Sequence, residues 1–359
     1  MIKVLLVTGS YPPLNCGVGD YTASLAQSLR DSGQACVAVL TGDPEPKPQP
    51  GIEMIRIQGW SLRRTFDALR AVAGWNPDVV HMQFPTQGYR LEWLPWILPL
   101  MLWLKRFRVV QTWHEIMPMG LRGLPLCLAP GTAIVVRPAY RESMVSWCRW
   151  LLANRRIVFI PNASSIPRSR LTDQEREKLH SRLAEGQQSV VSYFGFAYPH
   201  KGVEVLFDVA DPVRDRLVLM CDLQDDNDYH RLILDKCRRK PWNGKVTITG
   251  FLPPEEVADI LSASDAVVLP FPGGGGDWNT SLHAVTTQGV FLVTTSSSAE
   301  HYDSKGNIQY CRPGDIEGMR LALDARIGQK VEPPSNTHYT WAQIADAHIR
   351  AYLELPDKT

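Results

Sequence analysis

The sequence predicts an α/β chain of two doubly wound domains facing each other across a cleft. Three observations carry that prediction. Apolar, β-branched runs recur at short intervals, stretches able to form helices lie between most of them, and after a polar, charged interval the pattern begins again. Alternation of this kind builds a parallel sheet with helices on both faces. At 359 residues the chain is long enough for two domains, each with its own core.

The elements follow in order. MIKVLLVTGS carries one Lys and no small-residue cleavage site, so it reads as a buried first strand rather than a signal peptide. "DYTASLAQSLRDSG" is the first helix, opening on Asp20 as an acidic cap and closing at Gly33. "ACVAVLTG" and "DVVHMQF" are the next strands. In "LEWLPWILPLMLWLKRFR" the uninterrupted apolar part, Trp93 to Leu104, contains two prolines and falls short of the roughly 20 residues that span a bilayer. It reads as a buried helix; the alternative is a surface resting on lipid, with Lys105, Arg106 and Arg108 toward anionic headgroups. "FRVVQTWHE", "AIVVR" and "RIVFIPN" complete a first domain over residues 1–165, and 166–186 is a linker. "SVVSYFGF", "RLVLMCDL", "KVTITGF", "AVVLPF" and "VFLVTT" make the second domain, 187–337. Residues 338–359 hold apolar side chains at helical spacing, among them Trp341, Ile344, Ile349 and Tyr352. That helix needs a surface, and it is expected to pack back on the first domain.

Composition narrows the function. Hydrophobic residues at 44% and charged ones at 21% describe a soluble globular protein and exclude disorder. A net charge of +1 gives no reason to expect nucleic acid as a partner. Seven scattered cysteines without a CxxC pair argue against a disulfide framework and a thiolate zinc site, and for a reducing, cytoplasmic compartment. The acidic run "QDDNDY" reads as a solvated loop, because no other metal ligands accompany it.

Ligands of open α/β sheets bind beyond the carboxyl ends of the strands, so the candidates are the residues just after each run. "GGGGDWNTSLHAVTTQG" follows "AVVLPF". Glycines let backbone amides approach an anion, and a helix start offers unpaired N–H groups. Asn279, Thr280 and Ser281 would present amides and short polar side chains to a phosphate or diphosphate; the alternative is a surface loop with an ordinary cap. GxxxxGK[ST] is absent. Lys201 in "YPHKGVEVL" would supply the positive charge if the two loops meet, neutralising a departing diphosphate. Asp277 is the carboxylate nearest that site. Gly17 and Gly19 in "NCGVGDY" suit a phosphate-binding turn or merely relieve crowding. GxGxxG is incomplete and no acidic residue ends the second strand, which weighs against a dehydrogenase. His81 and His114 end adjacent strands without zinc-pair spacing. Each is a candidate acceptor or sugar contact, against the alternative of a hydrogen-bonded strand-end histidine.

In combination these segments resemble GT-B-fold glycosyltransferases, most closely family 4. "GSYPPLNCGVGDYTASLAQSL", "HMQFP", "TWHE", "IPN", "FGFAYPHKGVEVLFDVA", "ITGFLPPEEVADILSASDAVVLPF" and "SLHAVTTQGVFLVTT" stand in that family's order. The resemblance implies two Rossmann-like domains, with transfer of a sugar from a nucleotide donor, UDP- or GDP-linked, to a hydroxyl of a glycan, lipid-linked sugar or small molecule. It implies retention of anomeric configuration, no required metal and no cofactor. Gly17 and Gly19 match the family's glycine loop near the donor diphosphate, His114 a histidine close to the transferred sugar, and Lys201 the basic residue on the donor phosphates. Phe251 and Leu252 fall where backbone groups meet the base. Thr280, Ser281 and Leu282 fall at the helix start that holds the diphosphate.

Three positions depart from that pattern. Phe196 stands where many members carry Arg, and Gly276 and Ala284 stand where many carry glutamates. The alternative reading is therefore a catalytically inactive nucleotide-sugar-binding or scaffold protein of the same fold, with an epimerase or phosphorylase of similar shape behind it. The expected location is cytoplasmic, with peripheral contact at the inner face of a membrane as the lipid-facing variant.

Overall fold

A computed structural model describes residues 1–276, 278–302, 306–332 and 339–354. The chain divides into two compact units, Met1–Ala163 with Tyr339–Thr359, and Ser164–His338.

The first unit runs β1 (Ile2–Thr8), α1 (Gly17–Asp31), β2 (Ala35–Thr41), β3 (Glu53–Arg56), α2 (Thr65–Trp75), β4 (Val79–Phe84) and α3 (Leu94–Leu104). It continues through β5 (Val109–Trp113), α4 (Leu124–Leu128), β6 (Thr132–Val135), α5 (Ser146–Leu151) and β7 (Ile157–Phe159). The second comprises α6 (Asp173–Ala184), β8 (Ser189–Phe194), α7 (Leu206–Val209), β9 (Asp215–Met220), α8 (Asp228–Arg238) and β10 (Val246–Ile248). It is completed by α9 (Pro254–Ala263), β11 (Ala266–Leu269), α10 (Thr280–Thr287), β12 (Phe291–Thr295), β13 (Ile308–Cys311) and α11 (Ile316–Arg326). α12 (Trp341–Leu353) returns to the first unit.

Seven parallel strands of the first unit lie in the order β3-β2-β1-β4-β5-β6-β7. β1 is paired on both sides, Val7 opposite Leu40 and Met82, and its core residues Val4 to Val7 are fully buried. Continuous apolar strands are what a sheet covered on both faces requires. One face is covered by α2 to α5 through Val72, Leu98, Leu126 and Cys148. The other is covered by α1 and α12 through Leu25, Leu29, Ile344 and Tyr352.

α1 begins at Gly17, three residues before the expected cap, because the Asp20 amide already donates to the Cys16 carbonyl at 2.9 Å. Gly17 and Gly19 therefore lie in the first helical turn rather than in a preceding loop. Pro95 sits in the first turn of α3, where its missing N–H costs little, and Pro99 lies inside the helix. No helix among the described residues is long and apolar enough to cross a membrane.

The second unit has the order β10-β9-β8-β11-β12-β13, also parallel. The interval read as a linker contains α6, nucleated by a capping box in which the Thr172 hydroxyl accepts from the Glu175 amide and the Glu175 carboxylate accepts from the Thr172 amide. In both sheets the chain reverses its direction of travel once, between β1 and β4 and between β8 and β11, which marks each sheet's switch point.

Candidate functional site

In the second unit the loops after β8 and β11 meet at the switch point. The first turns through Pro199–Lys201 into Gly202 at φ +68°, and a Cβ on Gly202 would lie 2.5 Å from the Pro270 carbonyl oxygen. Only glycine allows this approach, and it carries Lys201 onto the second loop, with Nζ 5.0 Å from the centroid of the Phe271 ring. The sequence-predicted lysine and glycine segment are thus brought together.

The glycines themselves do something other than expected. The Gly274 amide donates to the Phe271 carbonyl (3.0 Å), Gly275 to the Thr295 carbonyl (2.8 Å), and Gly276 to Asn279 Oδ1 (2.9 Å). Those three amides are spent inside the protein. A Cβ on Gly275 would press into the Phe271 ring at 2.4 Å, and one on Gly274, at φ +81°, would meet the Ser297 amide at 2.8 Å. Bare backbone here seats the loop against β12 and Phe271 instead of facing an anion.

What faces outward is the helix start beyond the glycines. Asn279 caps α10 in extended conformation, with its Oδ1 occupied by Gly276 and its amide donating to the Gly276 carbonyl at 2.9 Å. It locks the turn and has no donor left on its backbone. The Leu282 and His283 amides both donate to the Asn279 carbonyl, and both side chains are buried. Leu282 therefore packs rather than faces a ligand. The Thr280 and Ser281 amides have no acceptor among the described residues, and they sit at the positive end of a helix of eight residues. Asp277 lies outside the described residues.

In the loop after β8, sequence reasoning missed an aromatic run. Phe196 stacks on Tyr198 (centroids 5.8 Å), Tyr198 on His200 (5.5 Å), and Phe251 meets Phe196 edge-on at 5.7 Å. The alternating F-x-Y-x-H after β8 was the available signal; its three rings stack in series where the chain passes from extended backbone at Tyr198 into the turn Pro199–Lys201. Phe251 is half exposed, whereas Leu252 packs on the core. Ala284 is fully buried, so no ligand contact is open to it.

In the first unit His114 follows β5 and His81 lies within β4. His81 is fully buried with both ring nitrogens engaged: Tyr352 Oη lies 2.7 Å from Nδ1, and Thr112 Oγ1 lies 2.7 Å from Nε2. As an acceptor or sugar contact it is therefore corrected to a core histidine that fastens α12 to the sheet. His114 Nε2 lies 3.0 Å from Gln83 Oε1, which can only accept, so Nε2 carries the proton and Nδ1 is an acceptor. Gln83 in turn reaches His81 Nε2 at 3.3 Å. Tyr21 closes the circuit, edge-on to His114 at 4.8 Å and 3.3 Å from Nε2 of His348, whose Nδ1 donates to the Ile344 carbonyl. Burial, then the charge of the neighbouring His348, lowers the His114 pKa to about 3, and burial lowers that of His348 to about 4. Burial and the nearby His348 and His114 hold His81 well below its ordinary value. All three imidazoles are neutral at pH 7.

Gly17 is exposed at the start of α1, which has no side-chain cap; Gly19 is buried, and a Cβ there would lie 3.0 Å from the Ser10 carbonyl. Two further glycines went unnoticed in the sequence. A Cβ on Gly88 would lie 1.8 Å from the Gly9 carbonyl, and one on Gly9 would lie 2.3 Å from Thr86 Oγ1, so the loops after β1 and β4 are pressed backbone to backbone. Among the described residues no three His, Cys, Asp or Glu side chains group as a metal would need.

Comparison with known proteins adds to this geometry. Residues 16–182 match the family model of a glycosyl transferase 4-like domain. No match is found among curated proteins. Among solved structures the chain is similar to sucrose-phosphate synthase from Thermosynechococcus elongatus (TM-score 0.70, 16% identity, covering 98% of this chain and 94% of that one). It is also similar to Anabaena HepE in complex with UDP-glucose (0.69, 16%, 98% and 95%). The catalytic domain of starch synthase IV from Arabidopsis thaliana, bound to ADP and acarbose, aligns at 0.70, 13% identity, 98% and 99%. At these identities the likeness establishes the fold: two Rossmann-like domains of GT-B type.

Proposed function

We propose that the chain, whose residues 16–182 match a glycosyl transferase 4-like domain within a GT-B fold, is a glycosyltransferase that moves a sugar from a UDP- or GDP-linked donor to an acceptor hydroxyl. The acceptor is a glycan, a lipid-linked sugar or a small molecule, and the sugar's anomeric configuration is retained. One observation carries this reading: an ammonium group, Lys201 Nζ, lies on the ring of Phe271 in the loop that leads into the unpaired amides of Thr280 and Ser281.

In this reading the diphosphate rests on those two amides, where the helix end contributes roughly half a positive charge. Lys201 neutralises the charge that develops as the glycosidic bond to the diphosphate breaks. Phe251, half exposed on the aromatic run, takes the face of the base or sugar by stacking. In the first unit Gly17, exposed at the start of α1, offers bare backbone to a ligand such as the donor diphosphate, while the buried Gly19 lets α1 close on the Ser10 carbonyl. His114 is neutral and offers Nδ1 as an acceptor for a sugar hydroxyl. No cofactor or metal is assigned a role, and the enzyme works in the cytoplasm.

A second reading has a specific observation behind it. Phe196, Gly276 and Ala284 supply no charge where many family 4 enzymes have three, which suits a protein that binds a nucleotide sugar without turning it over. Calorimetry with UDP and GDP followed by a product assay separates the two. Turnover that falls roughly hundredfold or more in Lys201→Ala, the loss typical for removing one charge-stabilising donor, supports catalysis. Tight binding with no product in the unaltered protein supports the second reading.

A further inference from the structure

α3 reads LPWILPLMLWL, eleven residues without one polar side chain. A helix lying on a sheet normally turns charged or polar residues outward. In α3 the inward face is Leu94, Leu98 and Leu102, fully buried, while Trp103 and Leu104 are 45% and 65% exposed. The apolar surface continues over the neighbouring helices, with Leu128 of α4 at 55% and Trp147 and Trp150 of α5 at 50% and 80%. These helices form one layer. The Arg122 guanidinium lies 4.7 Å over the Trp93 ring and donates to the Leu91 carbonyl, and Arg155 donates to the Leu126 and Cys127 carbonyls of α4. Cys127 and Cys148, inside that layer, belong to the core beneath it.

The charge around the patch is one-sided. Residues 90–106, 119–128 and 141–150 together carry six Lys or Arg and two carboxylates, in a chain whose totals are 38 and 37. Exposed apolar side chains grouped on one helical layer, with exposed Arg90, Lys105, Arg106 and Arg149 on the same segments, mark an interaction site.

We propose that the outer face of α3, α4 and α5 docks on a lipid bilayer whose headgroups are anionic. The charge pattern selects this partner over a second copy of the chain, because two such faces would set like charges against each other. Tryptophan also favours it, since indole rings settle at the headgroup level with the N–H wet and the ring apolar. α3 is about half the length needed to span, so the layer lies in the interface plane.

The test is flotation of the whole protein with vesicles of phosphatidylcholine containing phosphatidylglycerol, and with vesicles of phosphatidylcholine alone. The protein is expected to float with the anionic vesicles only, to be released by salt, and to shift its tryptophan emission to shorter wavelength on binding. Trp103→Asp with Trp150→Asp should lower binding at least tenfold. Lys105→Ala with Arg106→Ala should lower it roughly 25-fold, about fivefold for each cation, which corresponds to about 1 kcal/mol apiece. Leu321→Asp, at an exposed apolar position of the second unit, should change nothing. Failure to float, equal recovery with neutral vesicles, or self-association that the tryptophan pair abolishes would overturn the proposal. Binding is read without turnover, so its failure leaves the glycosyl-transfer reading to stand or fall by its own assay.

Discussion

Replacing His348 by Gln should weaken the acid sensitivity of the first unit by a calculable amount. His348 is fully buried in α12, donates from Nδ1 to the Ile344 carbonyl, and has its pKa lowered by burial from 6.5 to about 4. Because the folded value lies below the unfolded one, the unfolded chain binds more protons between those two values, and stability rises with pH through that window. The contribution is complete above pH 6.5 and is lost as pH falls toward 4. At pH 5 the unfolded histidine is 1.5 units below its pKa and the folded one is still neutral, so the loss is about 2 kcal/mol at 1.36 kcal/mol per unit. Urea unfolding followed by tryptophan emission at pH 7.5 and pH 5 measures it, since nine of the eleven tryptophans lie in the first unit. Gln is neutral at both pH values, so whatever it costs in packing cancels in the comparison. The wild-type protein should lose about 2 kcal/mol more than the variant on acidification. Equal losses would show that His348 is protonated in the folded protein and would refute the burial argument.

Other outcomes follow from the same geometry. Thr280→Pro should remove one unpaired amide with little effect on stability, because Pro suits the first helical position and Asn279 before it is already extended. Calorimetry should find nucleoside diphosphate bound roughly ten- to hundredfold more weakly, the value of one hydrogen bond to a charged group. Gly202→Ala forces a side chain into φ +68° and against the Pro270 carbonyl. A stability loss of about 1–3 kcal/mol by thermal or urea unfolding is expected, together with weaker nucleotide binding as Lys201 is displaced. Turnover should be unaffected by chelators, because the charge on the diphosphate is met by Lys201 and helix amides.

The central strands could be read from the sequence because each is buried on both faces and must therefore be a continuous apolar run. β3 (EMIR) and β13 (IQYC) escaped notice for the converse reason: each is a four-residue edge strand, β3 with no fully buried residue and β13 buried only at Tyr310 and Cys311. Lys201 was legible as a charge beside a glycine turn. The part played by the glycine quartet was not, because whether an amide is free depends on Thr295, Phe271 and Asn279, which reach it only after folding. His81 shows the same limit. Its strand-end position suggested a ligand contact, and only the arrival of Tyr352, 271 residues later, shows that its nitrogens are taken. The aromatic run after β8 was in plain view but was weighed only for the arginine it lacks.

The return of α12 to the first unit has a consequence during synthesis. Ile344, Ile349 and Tyr352 belong to the same core as Leu25 and Val39, yet the whole of Ser164–His338 must leave the ribosome before they do. At translation rates of about 5–20 residues per second, the nascent first half waits on the order of 10 to 35 s with one face of its sheet covered by α1 but lacking α12. The later half has all its own strands by then and is free to collapse first. A chaperone that holds the N-terminal portion until the last helix emerges would find its binding surface beside α1, where α12 later packs.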